Sequence, residues 1–195
     1  IVKSGFDVVL QASNHTLDVG TQGVLNCIEY WKKQDDITYL GINDSQEDRE
    51  TIRVIERNGI RIALLNYTYG LNGRILPKDK PYLINLIDTT LIKSDLEKAE
   101  ILADFTIVFP HWGVEYVYKP NKEQTSLAKM MVRYGADLII GTHPHVLQPI
   151  EWIDNGKGGK VLCAYSLGNF VSTMAYEKYM LGGILTFDIV VGSDG

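Results

Sequence analysis

Every histidine in the chain follows an apolar run. Phe6 to Leu10 gives way to Ser13-Asn14-His15, Asp104 to Phe109 leads to Pro110-His111-Trp112-Gly113, and Leu138 to Ile140 leads to Gly141-Thr142-His143-Pro144-His145. Short apolar runs bounded by turn residues read as buried strands. In an α/β protein the carboxyl ends of parallel strands open on one crevice, where residues distant in sequence converge. Imidazoles gathered there with an amide and carboxylates form a metal site or an acid-base site. Neutral imidazole nitrogens suit Mn, Fe or Zn, and an Asn carbonyl oxygen adds a neutral hard ligand. A histidine outside the ligand set titrates near neutrality and can pass on a proton. His143 and His145 are the strongest pair of candidate ligands: residues two apart share a side in extended backbone, and Pro144 biases its predecessor towards that conformation. His111 is the next candidate. Asn14 is the fourth, with a turn or capping residue as its plainer reading.

Other residues near these positions carry weaker signals. Asp18 reads as a turn or capping carboxylate ahead of a helix starting near Thr21, with orientation of His15 as its alternative. Glu115 suits a cation or a lysine, or simply a solvated loop. Asn169, after Gly168 at a strand exit, suits a tight turn or an amide facing the crevice. Trp112 and Tyr116 read as packing residues, while Arg74 and Lys119 lie in loops within reach of an anionic substrate.

These side chains need a framework, and composition sets its scale. At 195 residues and 45% hydrophobic content, the chain can bury one sizeable core and reads as a single domain over residues 1–195. A net charge of -5 with no Lys/Arg block argues against nucleic acid as partner. No apolar run reaches the ~18 to 20 residues of a membrane span. Cys27 and Cys163 lack ligand-like spacing and read as buried thiols, a disulfide between them being the alternative.

The pattern alternates strands and helices. Phe6 to Gln11 reads as a buried strand, Thr21 to Lys33 as a helix, Tyr39 to Ile42 as a short strand and Ser45 to Glu50 as a solvated loop. Thr51 to Arg57 and Ile60 to Tyr67 flank Asn58-Gly59, the dipeptide favoured by a type I′ hairpin turn. Tyr69 to Lys80 is a long loop of the kind that walls active sites. Helices are expected over Ile92 to Ala103 and Lys122 to Tyr134, the second stopped by Gly135, with strands over Phe105 to Phe109 and Asp137 to Ile140. Strands over Val146 to Ile153, Lys160 to Ser166 and Gly183 to Val191 close an α/β fold of mixed α+β character.

Four ordered motifs within residues 5–171 then resemble a known family: Ser13-Asn14-His15-Thr16-Leu17-Asp18-Val19-Gly20, His111-Trp112-Gly113-Val114-Glu115-Tyr116, Gly141-Thr142-His143-Pro144-His145-Val146-Leu147-Gln148 and Tyr165-Ser166-Leu167-Gly168-Asn169-Phe170. They resemble the CapA-type poly-γ-glutamate capsule biosynthesis proteins, a branch of the calcineurin-like metallophosphoesterase superfamily. The resemblance implies a four-layer αββα metallophosphatase-like sandwich and a site for two divalent metals. Asn14, His111 and His143 would serve one metal and His145 the other, leaving His15 as the acid-base residue.

The family's opening Gly-Asp strand and its acidic second motif have no counterpart here, so the chain is expected to be the carboxyl-terminal portion of the domain, lacking the first strands and most carboxylate ligands. The implied function is capsule polymer biosynthesis or export, with metal-dependent hydrolysis of a phosphoester or of the γ-glutamyl polymer. The alternative is a non-catalytic surface assembly or polymer-binding subunit. Expected partners are an anionic polymer or phosphoester and other capsule-synthesis membrane proteins. The expected location is the outer face of the bacterial membrane, anchored through a segment outside this chain.

Overall fold

Two β-sheets and the helices on their outer faces form four layers. The computed structural model describes residues 2–190 and 192. Its elements are β1 (Val8–Leu10), α1 (Gly20–Trp31), β2 (Thr38–Leu40), α2 (Gln46–Glu50), β3 (Arg53–Arg57), β4 (Ile60–Thr68), α3 (Thr89–Leu102), β5 (Phe105–His111), α4 (Lys122–Arg133), β6 (Leu138–Ile140), β7 (Ile150–Asp154) and β8 (Lys160–Ala164). Strands β1 and β2 pair in parallel as a small sheet, and the others form a six-stranded sheet in the order β3-β4-β5-β6-β8-β7. Pairing in the larger sheet is parallel from β4 to β8 and antiparallel at both edges.

The two-residue alternation of strands sorts the core into these layers. Ala63, Leu65 and Tyr67 of β4, Val108 of β5, Ile139 of β6 and Cys163 of β8 pack against Ile92, Leu96 and Ala99 of α3 and Ala128, Met131 and Val132 of α4. The intervening residues Leu64, Ile107 and Leu138 face the other way, against Leu40, Val8 and Leu10 of the small sheet. The far side of that sheet, Val9 and Tyr39, packs on Val24, Ile28 and Trp31 of α1. The order α1, small sheet, large sheet, α3 with α4 is the αββα sandwich, and it aims the exits of β1, β5 and β6 at one end.

Local chemistry explains the boundaries. The β3-β4 hairpin turns at Asn58 and Gly59, both at positive φ (53° and 80°), as a type I′ turn requires. Asp88 caps α3 by accepting from the backbone amides of Thr90 and Leu91. Asn121 and Gln124 form a reciprocal capping box on α4, and Gly135 after it adopts φ 110°.

Several expectations are corrected. Ser45 to Glu50 is not a loop: Ser45 caps the helical turn of α2, whose Arg49 is buried against Asp95 of α3 at 2.9 Å. That ion pair joins residues far apart in sequence and leaves no local trace. The strand expected from Val146 begins only at Ile150. No strand forms over residues 183–190, and Val191 lies outside the described residues. Cys27 and Cys163 are both free thiols, on α1 and β8 in different layers. No described helix is long and apolar enough to cross a membrane.

Candidate metal centre

The sandwich brings Asn14, His111, His143 and His145 into one crevice. His111 is the last residue of β5, Asn14 follows β1, and His143 and His145 follow β6. The ring centroids of His111 and His143 are 4.8 Å apart, and those of His143 and His145 are 6.0 Å apart. His111 Nε2 meets Asn14 Oδ1 at 2.8 Å. The Asn14 amide is oriented by donation from its Nδ2 to Asn72 Oδ1 at 3.0 Å, which turns the carbonyl oxygen to the imidazole.

The backbone here departs from the sequence expectation. Residues 143–145 are not extended: His143 has φ 99° and His145 φ 59°, both left-handed, so Pro144 does not hold its predecessor in the usual region. Tyr116, in the loop that faces this turn, has φ 65°. Among described residues other than glycine and asparagine, these three are the ones at positive φ. Such conformations cost on the order of 1–3 kcal/mol each and persist where surrounding structure imposes them. Gly141 shows one such constraint, since a Cβ there would lie 2.1 Å from the Tyr165 carbonyl oxygen and 2.3 Å from the Trp112 indole nitrogen.

Oxygen atoms behind the ring nitrogens fix the rings. His111 Nδ1 contacts the Thr142 hydroxyl at 2.9 Å, and His145 Nδ1 contacts Asn169 Oδ1 at 2.8 Å. Partners of this kind orient metal-ligating imidazoles. Burial, with the neighbouring histidines adding to it, pushes the pKa of His111 down to about 3. Burial likewise lowers that of His143, partly opposed by Glu115. Both rings are therefore neutral at physiological pH, the form that coordinates a metal. His143 Nδ1 is buried without a hydrogen-bond partner among the described residues. A buried polar atom without a partner is costly. A lone pair so placed, beside other imidazoles and an amide oxygen, fits a divalent cation.

His15 sits at the rim with its side chain 63% exposed, and its Nδ1 lies 2.6 Å from Asp18 Oδ2. Asp18 is therefore not the cap of α1, whose N-cap Val19 makes no side-chain bond. It orients His15 instead. Asn169 takes the crevice reading. Tyr116 packs, but against a site ring, stacking on His145 at 5.8 Å. Arg74 lies 4.0 Å from Asp18.

Sequence reasoning missed Tyr69 and Asn72. Tyr69 follows β4, and its ring lies 4.7 Å from that of His143 and 6.3 Å from that of His111. The strand-exit rule that finds His111 applies equally to β4. Its exit carries no histidine, so nothing in the local sequence singles it out.

Comparison with known proteins bears on the family and the fold. The family model described as "Bacterial capsule synthesis protein PGA_cap" matches residues 1–174. The capsule biosynthesis protein CapA of Bacillus anthracis is 37% identical over 184 residues, covering 91% of this chain and 43% of that protein. The PGA biosynthesis protein CapA of Bacillus subtilis (strain 168) is 38% identical over 175 residues, covering 89% and 44%. The chain thus spans less than half the length of these relatives. Among solved structures, the NAD nucleotidase NadN of Haemophilus influenzae shares the fold with a TM-score of 0.53 at 15% identity, over 84% of this chain and 35% of that one. With the motifs, the layers and the two curated relatives in agreement, the chain belongs to the bacterial capsule synthesis protein family PGA_cap.

Proposed function

We propose that this chain carries the histidine-rich part of a metallophosphatase-like hydrolytic site acting in capsule polymer synthesis or export. The substrate class is an anionic phosphoester or the γ-glutamyl polymer. The observation that carries the reading is the donor set itself: Asn14 Oδ1 against His111 Nε2 at 2.8 Å, beside the unpartnered, buried Nδ1 of His143. Asn14, His111 and His143 would hold one divalent ion and His145 a second, with upstream carboxylates completing the pair. Bound Mn, Fe or Zn would supply Lewis acidity and an activated water at neutral pH.

The chain's own residues perform the remaining steps. Thr142 and Asn169 hold His111 and His145 in orientation. His15, held by Asp18, donates a proton to the leaving oxygen. We further propose that the whole protein works at the outer face of the bacterial membrane, anchored outside this chain and alongside other capsule-synthesis membrane proteins.

The test combines metal analysis with turnover. The whole protein, stripped with chelator and reloaded with Mn, Fe or Zn, should retain metal through dialysis and hydrolyse bis(4-nitrophenyl) phosphate, and His143→Ala should lose both properties. Metal retained without turnover of phosphoester or γ-glutamyl polymer would leave a non-catalytic polymer-binding subunit. No metal retention at all would end the reading.

A further inference from the structure

The donors assigned so far in this chain are neutral: an amide oxygen and imidazoles. A divalent cation bound only by neutral groups keeps its full charge in a partly buried crevice, which is unfavourable. One acidic group reaches the crevice from within the described residues. Glu115 Oε1 lies 3.6 Å from His145 Nε2, and one ligand-type atom from each of Glu115, His143 and His145 falls within 4.8 Å of the others. Two ligands bonded to one ion at 2.0 to 2.2 Å stand ~3.3 to 3.6 Å apart in a tetrahedral arrangement and at most about 4.4 Å apart. The Glu115-His145 spacing already matches.

The loop bearing Glu115 is held against the histidine turn from both sides. Tyr116 N donates to Pro144 O at 2.8 Å, directly joining the loop to the 143–145 segment. Gln148 Nε2 donates to Val117 O at 2.8 Å, and Gln124 Nε2 of α4 donates to Gln148 Oε1 at 2.8 Å. Tyr116 accepts a left-handed backbone, and its ring lies between His145 and Tyr179, 4.5 Å from the latter. A solvated loop carboxylate needs no such restraint.

We propose that Glu115 is a metal ligand, giving the ion at His145 an anionic ligand from within this chain and leaving His143 to the ion of Asn14 and His111. The proposal rests on the metal reading above and assigns a residue that reading leaves out. His145 then carries Asn169 on Nδ1 and the ion on Nε2, and His143 stands between this ion and the Asn14-His111 pair.

The experiment titrates chelator-stripped protein with Co(II) and Zn(II), following heat by calorimetry and the visible ligand-field band of Co(II). Glu115→Gln should weaken the site by more than the ~10- to 100-fold that losing a merely orienting group costs, and should shift the Co(II) band. Glu115→Asp should recover part of the affinity. Unfolding curves measured in chelator should match wild type for both variants, since the side chain is partly exposed. If Glu115→Gln binds as tightly as wild type with an unchanged band while His145→Ala loses this site, the metal site stands and Glu115 is only an ion-pair partner of His145. If wild type itself binds no metal, the metal reading and this proposal fall together.

Discussion

Asn14 and His111 stand 97 residues apart in sequence and 2.8 Å apart in space, and a third residue joins the segments that carry them. Asn66 of β4 is buried between them. Its Oδ1 accepts from Ala12 N at 2.8 Å, two residues before Asn14, and its Nδ2 donates to Phe109 O at 2.8 Å, two residues before His111. One amide thus couples the small sheet's exit loop to the large sheet's central strand.

Replacing that amide should loosen the site and the fold together. Asn66→Leu leaves the Ala12 amide and the Phe109 carbonyl without partners, each costing ~1–3 kcal/mol. We expect a stability loss of ~2 to 5 kcal/mol by urea unfolding, and weaker metal binding under conditions where the variant is still folded. A variant that loses stability but keeps full metal affinity would mean that Asn14 is placed by other contacts.

Acid should destabilise the metal-free protein through His111. An unfolded imidazole takes its proton near pH 6.5. The folded ring takes it only near 3 because of burial and the neighbouring histidines. Between these values the unfolded chain binds the extra proton, so stability is greatest above pH 6.5 and falls towards pH 3, by up to ~1.4 kcal/mol per unit. Asp137, whose carboxyl is pushed up by burial, acts in the opposite sense, so the comparison must be made against a variant. In chelator, His111→Gln should flatten the slope of unfolding free energy between pH 6.5 and 4. An unchanged slope would show that His111 is already solvated enough to ionise.

The Arg49-Asp95 pair supports a different prediction. Both side chains are nearly excluded from water, at 9% and 5% exposure, and Tyr67 Oη also donates to Asp95 at 2.7 Å. Asp95→Ala strands a buried guanidinium and should cost ~3–5 kcal/mol. The double change Arg49→Met with Asp95→Leu should recover much of that loss, because a buried pair replaced by apolar groups is often neutral. Urea unfolding of the single and double variants measures this. A double variant as unstable as Asp95→Ala would mean that the pair contributes more than mutual neutralisation.

The same pair marks where legibility in the sequence stops. The β3-β4 hairpin is readable because Asn58-Gly59 is a local conformational demand, and β5 and β6 because apolar runs end in turn residues. Convergence of Asn14, His111, His143 and His145 is readable from one topological rule about parallel strand ends. Asp18 misleads because capping and orienting carboxylates occupy the same sequence position, and only the 2.6 Å contact to His15 separates them. The left-handed His143 runs against the local preference that Pro144 sets, a conflict resolved by tertiary contacts such as Tyr116 N to Pro144 O. The segment 183–190 has the alternating apolar pattern of a strand but forms none, so pattern alone does not make one.

His15 should differ from its neighbours in what its loss removes. It is the most exposed of the site histidines, and Asp18 holds its Nδ1 at 2.6 Å. As general acid it would deliver a proton to the leaving oxygen, a contribution usually worth ~10²- to 10⁴-fold in rate. His15→Ala in the metal-loaded protein should therefore slow alkyl phosphoesters by that span, while hydrolysis of a nitrophenyl ester, whose leaving group needs little protonation, falls much less. Metal content should stay near that of wild type. Asp18→Asn should reproduce a weaker form of the same pattern, since it disturbs the orientation of the ring without removing it. His143→Ala should instead lower metal content and the hydrolysis of both ester types in parallel. If His15→Ala strips the metal, or slows both ester types equally, His15 is a ligand or an orienting group and the proton comes from elsewhere.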